Sequence, residues 1–174
     1  MELNLVKYPN PVLRQKAELV TEFGEDLKKV AHFMSKLMYE FKGVGLAANQ
    51  VGILKRIIVV HNKFGGPMSH RVFINPEILN SEGEFIFNEG CLSHPGIHID
   101  IKRPKKIQFK YQDTDGNFHT DCATSKDDNI LGVVIQHEID HLLGVNLPDH
   151  MTPGQKIIND KKLIKLEKEY RKSR

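Results

Sequence analysis

Near the end of the chain four ionisable side chains fall within five residues, His137-Glu138-Ile139-Asp140-His141, inside an otherwise apolar run. Val133, Val134 and Ile135 come before them, and Leu142 and Leu143 after. A helix makes sense of the spacing, because residues four apart lie one turn apart on the same face. His137 and His141 then aim two imidazoles at one point, with Glu138 alongside. The alternative is an amphipathic surface helix with these groups in water, but the flanks are too apolar for that. Once buried, the cluster is costly unless it is paired or holds a metal ion. Neutral imidazole is a good ligand for divalent metals, and a carboxylate beside a metal-activated water can take its proton. The rest of the chain therefore has to wrap around this helix.

A chain of 174 residues, 40% hydrophobic and 27% charged, suffices for one domain with a sizeable core. Residues 1–174 show no repeat, low-complexity tract or linker, so a single catalytic unit is expected. No apolar run approaches the roughly 20 residues of a membrane span. The opening Met-Glu-Leu-Asn-Leu has neither the basic nor the apolar region of a secretory signal, which predicts a cytoplasmic setting. Two cysteines, Cys91 and Cys122, do not make a disulfide scaffold, and in a reducing compartment a cysteine is free to act as a ligand. The net charge of +3 is uneven. Residues 155–174 hold eight Lys and Arg against three Asp and Glu, so the tail is basic and the remainder is close to neutral.

Along the chain, Pro9 and Pro11 break residues 3–20 into a loop or extended arm. Leu27, Val30, Met34, Leu37, Met38 and Phe41 form a helical stripe over Glu25–Phe41, with Gly43 as its C-cap. Arg56–His61 reads as a buried strand. Val72–Ile74 begins another, which Asn75-Pro76 is expected to interrupt, and Ser81-Glu82-Gly83 reads as a turn. Ile97–Ile101 and Ile107–Tyr111 alternate as half-buried strands. Asp115-Gly116 turns the chain into Phe118–Ala123. Asp127 or Asp128 is expected to cap the helix that runs to Leu143 and ends at Gly144. Thr152 and Pro153 start a last helix. The class is α+β: mixed or antiparallel sheets packed around one central metal-binding helix, with an N-terminal and a C-terminal helix.

Two histidines do not hold a metal well, and a catalytic site usually has three protein ligands and an open position. One protease class extends the motif with a glycine and a third histidine. Gly144 fits that extension but Leu147 does not, which speaks against a metalloendopeptidase. The only later glutamates, Glu167 and Glu169, sit among lysines as expected for surface pairs. Upstream, Cys91 lies on a turn between Gly90 and Pro95. It is either a thiolate ligand or a small buried hydrophobe, and Cys122 fits the second description.

Three segments, in their order and separation, resemble peptide deformylase: Gly43-Val44-Gly45-Leu46-Ala47-Ala48-Asn49-Gln50, Glu89-Gly90-Cys91-Leu92-Ser93 and Gln136-His137-Glu138-Ile139-Asp140-His141. Tyr8–Arg14 is similar to that family's opening, so the likeness covers nearly the whole chain. The resemblance implies a hydrolase that removes the formyl group from the N-terminal formylmethionine of newly made proteins. It implies one divalent metal ion, Fe²⁺ natively with Zn²⁺, Ni²⁺ or Co²⁺ able to replace it, held by Cys91, His137 and His141. Glu138 would be general base and then acid, with metal-bound water attacking the formyl carbon. Gln50 and the backbone N–H of Leu92 would face the oxyanion. Gly45 and Glu89 would contact the substrate, and Val44, Phe87, Ile130, Val133 and Val134 would line the methionine pocket, each being otherwise plain core. Glu89 and Arg103 would pair, or Arg103 would be solvated. Asp140 would support a ligand imidazole or make a helix contact.

The partners implied are N-formylmethionyl nascent chains, neither DNA nor a membrane. An extended peptide could lie along strand edges near Gly45 and Glu89, which suits varied residues after methionine. The basic tail is either a solvated helix face or a dock for ribosomal RNA. His98 stands where many relatives carry arginine, and Asn129 and Gly132 also depart from the pattern. His94 and His98 lie near Cys91 but have no assigned role, and His150 is expected in a surface turn.

Overall fold

The computed structural model describes residues 3–66 and 68–173. The N-terminal stripe forms α1 over Glu25–Glu40. It closes with the N–H of Gly43 on the carbonyl of Met38 and that of Lys42 on Tyr39, a paired C-terminal closure. The left-handed residue is Lys42, with φ 56°, rather than the expected Gly43. Gly43 is needed for another reason: a Cβ there would stand 2.7 Å from Leu92 Cδ1.

After a three-residue strand, β1 (Gly45–Ala47), the buried run forms β2 (Ile57–His61). Then follow β3 (His70–Glu82), β4 (Phe85–Gly90), β5 (His98–Arg103), β6 (Lys106–Gln112) and β7 (Phe118–Thr124). β1, β2, β3, β6 and β7 form an antiparallel sheet in that order, and β4 and β5 a separate hairpin. Asn75-Pro76 does not end β3. The strand crosses it with a shift in register, and Asn75 adopts φ 52°. The missing proline donor is absorbed at this bulge, and the Asn75 side chain ties the backbone of Val20 to Gln112.

The metal-motif helix, α2, spans Leu131–Leu142, and Gly144 follows in the left-handed region as expected. Neither Asp127 nor Asp128 caps it. The start is at Ile130, and Asn129 Oδ1 accepts from Leu131 N at 3.2 Å. The last helix, α3 (Pro153–Lys172), begins at Thr152 as expected, with the Thr152 hydroxyl accepting from Gln155 N.

Alternation along β2 decides the layering. Ile58 and Val60 face a core shared with Ile135, Ile139 and Leu142 of α2. Ile57 and Val59 face a second core built on Ala31, Met34 and Met38 of α1. A strand covered on both sides reads as a continuous apolar run. The β4–β5 hairpin packs Ile97, Ile99 and Ile101 against Leu147, Met151 and Leu166. α2 is thus enclosed by the sheet and the hairpin. The basic tail is not simply a solvated face, because Leu166 and Asn159 of α3 are buried and Lys162 and Gln155 donate to the carbonyls of Gly96 and Asp100.

Candidate active site

Three remote segments meet at α2. His137 and His141 project from one face, and the loop after β4 brings Cys91 to them. Sγ of Cys91 is 3.2 Å from Nε2 of His141, and the three donor atoms of Cys91, His137 and His141 all lie within 4.8 Å of one another. Ligands about 2.0–2.3 Å from one tetrahedral ion sit roughly 3.5 Å apart, so one sulfur and two nitrogens here fit a single divalent ion. The chemistry of the set agrees, since thiolate and imidazole together suit borderline-soft metals.

Around the three donors is a buried charge network. Glu89 accepts from Nδ1 of His137 at 2.8 Å and from both Nε and Nη2 of Arg103. Arg103 reaches on to Asp140 at 2.9 Å, and Asp140 also accepts from His150 Nε2 at 2.9 Å. The Glu89–Arg103 pair is therefore made, and Arg103 is not solvated. Asp140 contacts neither a ligand imidazole nor only its own helix. His150 ends a part-exposed 3-10 turn, in keeping with the expected surface turn, and closes the far end of this chain of charges. Burial works against ionising Glu89, but the bonds from His137 and Arg103 outweigh it and hold the carboxyl below its usual range. Burial likewise opposes a proton on His137, yet its bonds to Cys91 and Glu89 raise it well above the ordinary imidazole value. Burial, reinforced by His137, drives His141 well below that value. A metal ion would compete with the proton held by His137.

Glu138 lies beside them in a tight seat. It is 4% exposed, and burial pushes its pKa up to about 7. Its Oε2 is buried with no hydrogen-bond partner among the described residues. On the other side it presses against β1, and a Cβ on Gly45 would lie 2.5 Å from Glu138 Oε1 and 2.7 Å from Val134 Cγ1. Gly45 is thus required for close approach. Gln50, on the 3-10 turn Ala48–Val51, is fixed at both ends of its amide. Its oxygen accepts from Ala47 N at 2.8 Å, and Nε2 donates to Ser93 Oγ at 3.1 Å and points at Cys91 Sγ at 3.6 Å.

These groups share a cavity of about 500 Å³. Gly45, Gln50, Cys91, Leu92, His137 and Glu138 line its floor, and Val44, Phe87, Ile130, Val133 and Val134 line its walls. Val133 and Val134 are buried, whereas Val44 is 47% exposed at the rim. Both carboxylate oxygens of Glu89 are already engaged, so only its backbone is open to a substrate. β1 is an edge strand of its sheet and β4 pairs only with β5, so two unpaired strand edges border one groove.

Residues 2–156 match the family described as polypeptide deformylase. The chain belongs to that family. A peptide deformylase of Zymomonas mobilis is 39% identical over 173 residues, covering 95% of each chain. One from Thermodesulfovibrio yellowstonii is 42% identical over 164 residues, 92% of this chain and 95% of that protein. Among solved structures, a Plasmodium falciparum peptide deformylase superposes with TM-score 0.90 at 39% identity, covering 97% of both chains. Family members are metal-dependent hydrolases, and the Cys91, His137 and His141 group provides for one ion. No helix among the described residues is long and apolar enough to cross a membrane.

Sequence reasoning missed several supports. Ser93 Oγ takes the Gln50 amide and donates to the Val6 carbonyl, pinning the N-terminal arm under the cysteine loop. Asn49 Nδ2 donates to the backbone carbonyl of His141. Both residues lie inside the matching segments, so their place was signalled but not their partners. Glu167, expected to pair with a lysine, instead accepts from Tyr8 OH at 3.0 Å. Lys165–Glu169 is an i,i+4 pair as expected.

Proposed function

We propose that this chain hydrolyses the N-formyl group of formylmethionyl peptides, releasing formate and a free α-amine. The observation that carries the reading is the meeting of three clustered metal donors, two of which (Cys91 and His137) line the cavity floor, with an unpartnered carboxylate oxygen of Glu138 and the Gln50 amide on that floor. Cys91, His137 and His141 would hold one divalent ion, Fe²⁺ in the native enzyme, with Zn²⁺, Ni²⁺ or Co²⁺ as workable substitutes. When bound, the ion acidifies a water molecule and polarises the formyl oxygen.

Glu138 takes a proton from that water through Oε2, and burial suits it to the task, since a base titrating near neutrality works best near pH 7. The water oxygen bonds to the formyl carbon, and charge gathers on the former carbonyl oxygen. Gln50 Nε2 and the Leu92 N–H donate to that oxygen; one such donor is typically worth about 10²–10³ in rate. The C–N bond then breaks as Glu138 returns its proton to the leaving nitrogen. Arg103 keeps Glu89 in place, and Glu89 fixes the tautomer of His137 so that Nε2 is left for the metal. The methionine side chain would sit among Val44, Phe87, Ile130, Val133 and Val134, where a flexible thioether adapts to an irregular apolar wall. The peptide would run extended between the edges of β1 and β4, with Gly45 and the Glu89 backbone pairing with its main chain.

Residues 1–174 act as one catalytic unit in the cytoplasm. α3 docks that unit to the ribosome through its solvent-facing lysines, and this contact should weaken with salt. Because Leu163 and Leu166 pack on the hairpin core, charge reversal at Lys161, Lys165 and Lys168 is a cleaner test than removing the helix. Co-sedimentation with ribosomes that is unchanged in that variant would reject the contact. For the activity itself, anaerobically purified protein should contain about one equivalent of metal and release formate from formyl-Met-Ala-Ser. Cleavage of casein without formate release would point instead to an endopeptidase.

A further inference from the structure

The floor of the cavity is committed to deformylation, but its mouth carries charges that the reaction does not use. Lys7 and Lys42 both line the cavity and are exposed to solvent. Neither ammonium group has a hydrogen-bond or ion-pair partner among the described residues. Their backbones, by contrast, are held. Lys7 lies between Val6, whose N–H donates to the Gln50 carbonyl at 2.8 Å, and Tyr8, whose N–H donates to the Ser93 carbonyl at 2.9 Å. Lys42 is the left-handed residue that closes α1, with its N–H on the Tyr39 carbonyl at 3.0 Å. The two lysines thus stand on separate, fixed pieces of backbone. Among the described residues, the only carboxylates on the cavity wall are Glu89 and Glu138, which are 3% and 4% exposed, and Glu89 is already matched by Arg103. The described residues thus leave two unpaired cations at the mouth where a peptide would enter.

We propose that Lys7 and Lys42 form an anionic subsite that favours nascent peptides with aspartate or glutamate shortly after the formylmethionine. The proposal rests on the deformylase reading and adds a charge preference to it. Extended backbone advances about 3.3 Å per residue. A peptide whose formyl carbon lies at Glu138 and whose main chain follows Gly45 back toward Gly43 therefore brings its second to fourth residues within reach of Lys42. Main-chain pairing leaves the shape of those side chains free, whereas two unpaired cations do not leave their charge free.

The test uses the full-length, metal-loaded protein and three C-terminally amidated peptides: formyl-Met-Ala-Asp-Asp, formyl-Met-Ala-Ser-Ser and formyl-Met-Ala-Lys-Lys. Exposed ion pairs are individually weak, so kcat/KM for the acidic peptide should exceed that for the serine peptide by about three- to tenfold at low salt. The lysine peptide should fall below both. The difference should lie in KM and shrink toward unity at roughly 0.5 M salt, where screening shortens to a few ångströms. The double charge reversal Lys7→Glu with Lys42→Glu should invert the order of the acidic and basic peptides. The salt series on the unaltered protein carries the same information without relying on a variant. Equal or lower kcat/KM for the acidic peptide, with the serine peptide still turned over, overturns the subsite and leaves deformylation standing. Absence of formate release from all three peptides overturns both.

Discussion

Arg103→Leu is the substitution for which the structure supplies the most definite cost. Arg103 is 6% exposed and Glu89 is 3% exposed, and the two share a bidentate pair. Arg103 also reaches Asp140 at 2.9 Å. Leucine fills much of the same space but leaves two carboxylates facing an apolar side chain. Glu89 would keep only His137, and Asp140 only His150. Removing one partner of a buried ion pair typically costs about 3–5 kcal/mol, because the remaining charge stays desolvated. For a chain of this size that is a fall in melting temperature of roughly 6–20 °C. Thermal melts should be made on metal-stripped protein, since bound metal would stabilise the native state by mass action. A fall of less than about 3 °C, well below that range, would refute the view that this network is a closed set of buried charges. Pairing the change with Glu89→Gln should recover part of the loss, because the stranded charge is then gone. In the loaded protein the single variant should also bind metal about 10- to 100-fold more weakly, as the Glu89 support of His137 loosens.

Three other changes follow from the same geometry. Gly45→Ala would place a methyl group 2.5 Å from Glu138 Oε1. Clearing that contact needs a shift of about 1 Å, so kcat should fall about 100-fold with metal content intact; a fall of less than threefold would show that the seat is loose. Glu138→Gln should keep the metal by elemental analysis and lower kcat by about 10²–10⁴, the usual worth of a positioned acid–base group. Relative to Glu138→Gln, the metal-free protein should also lose stability as pH rises from about 4.5 to about 7, because burial raises the folded-state value of Glu138 to about 7 while the unfolded value is near 4.5. In that window the folded chain holds the extra proton, so raising the pH removes an advantage of the native state. Urea titrations of the unaltered and Glu138→Gln proteins across that range should diverge accordingly, and parallel curves would show that Glu138 ionises without penalty.

The central helix was legible from residue order, because a period of four is a local property and His137 and His141 needed no other segment to share a face. The buried strand over Ile57–His61 and the Thr152–Pro153 helix start were readable for the same reason. Where the reading failed, a distant partner had overridden a local signal. Pro76 looked like a strand end, but Asn75 bridges Val20 and Gln112 and carries β3 through it. Gly43 looked like a cap, but it is small because Leu92 lies against it, and Lys42 adopts the left-handed turn instead. Residues alone left Cys91 open between ligand and filler, and its place beside His141, fifty positions away, exists only in the folded chain. The resemblance implied the Glu89–Arg103 pair, but its continuation through Asp140 to His150 exists only in the folded chain. By itself, the order of residues determined that this chain must bury a His-Glu-x-x-His helix and find a third donor for it. Tertiary structure decided which residues supply that donor, the base's seat and the charges that hold them, because burial makes such groups stable only when remote partners arrive together.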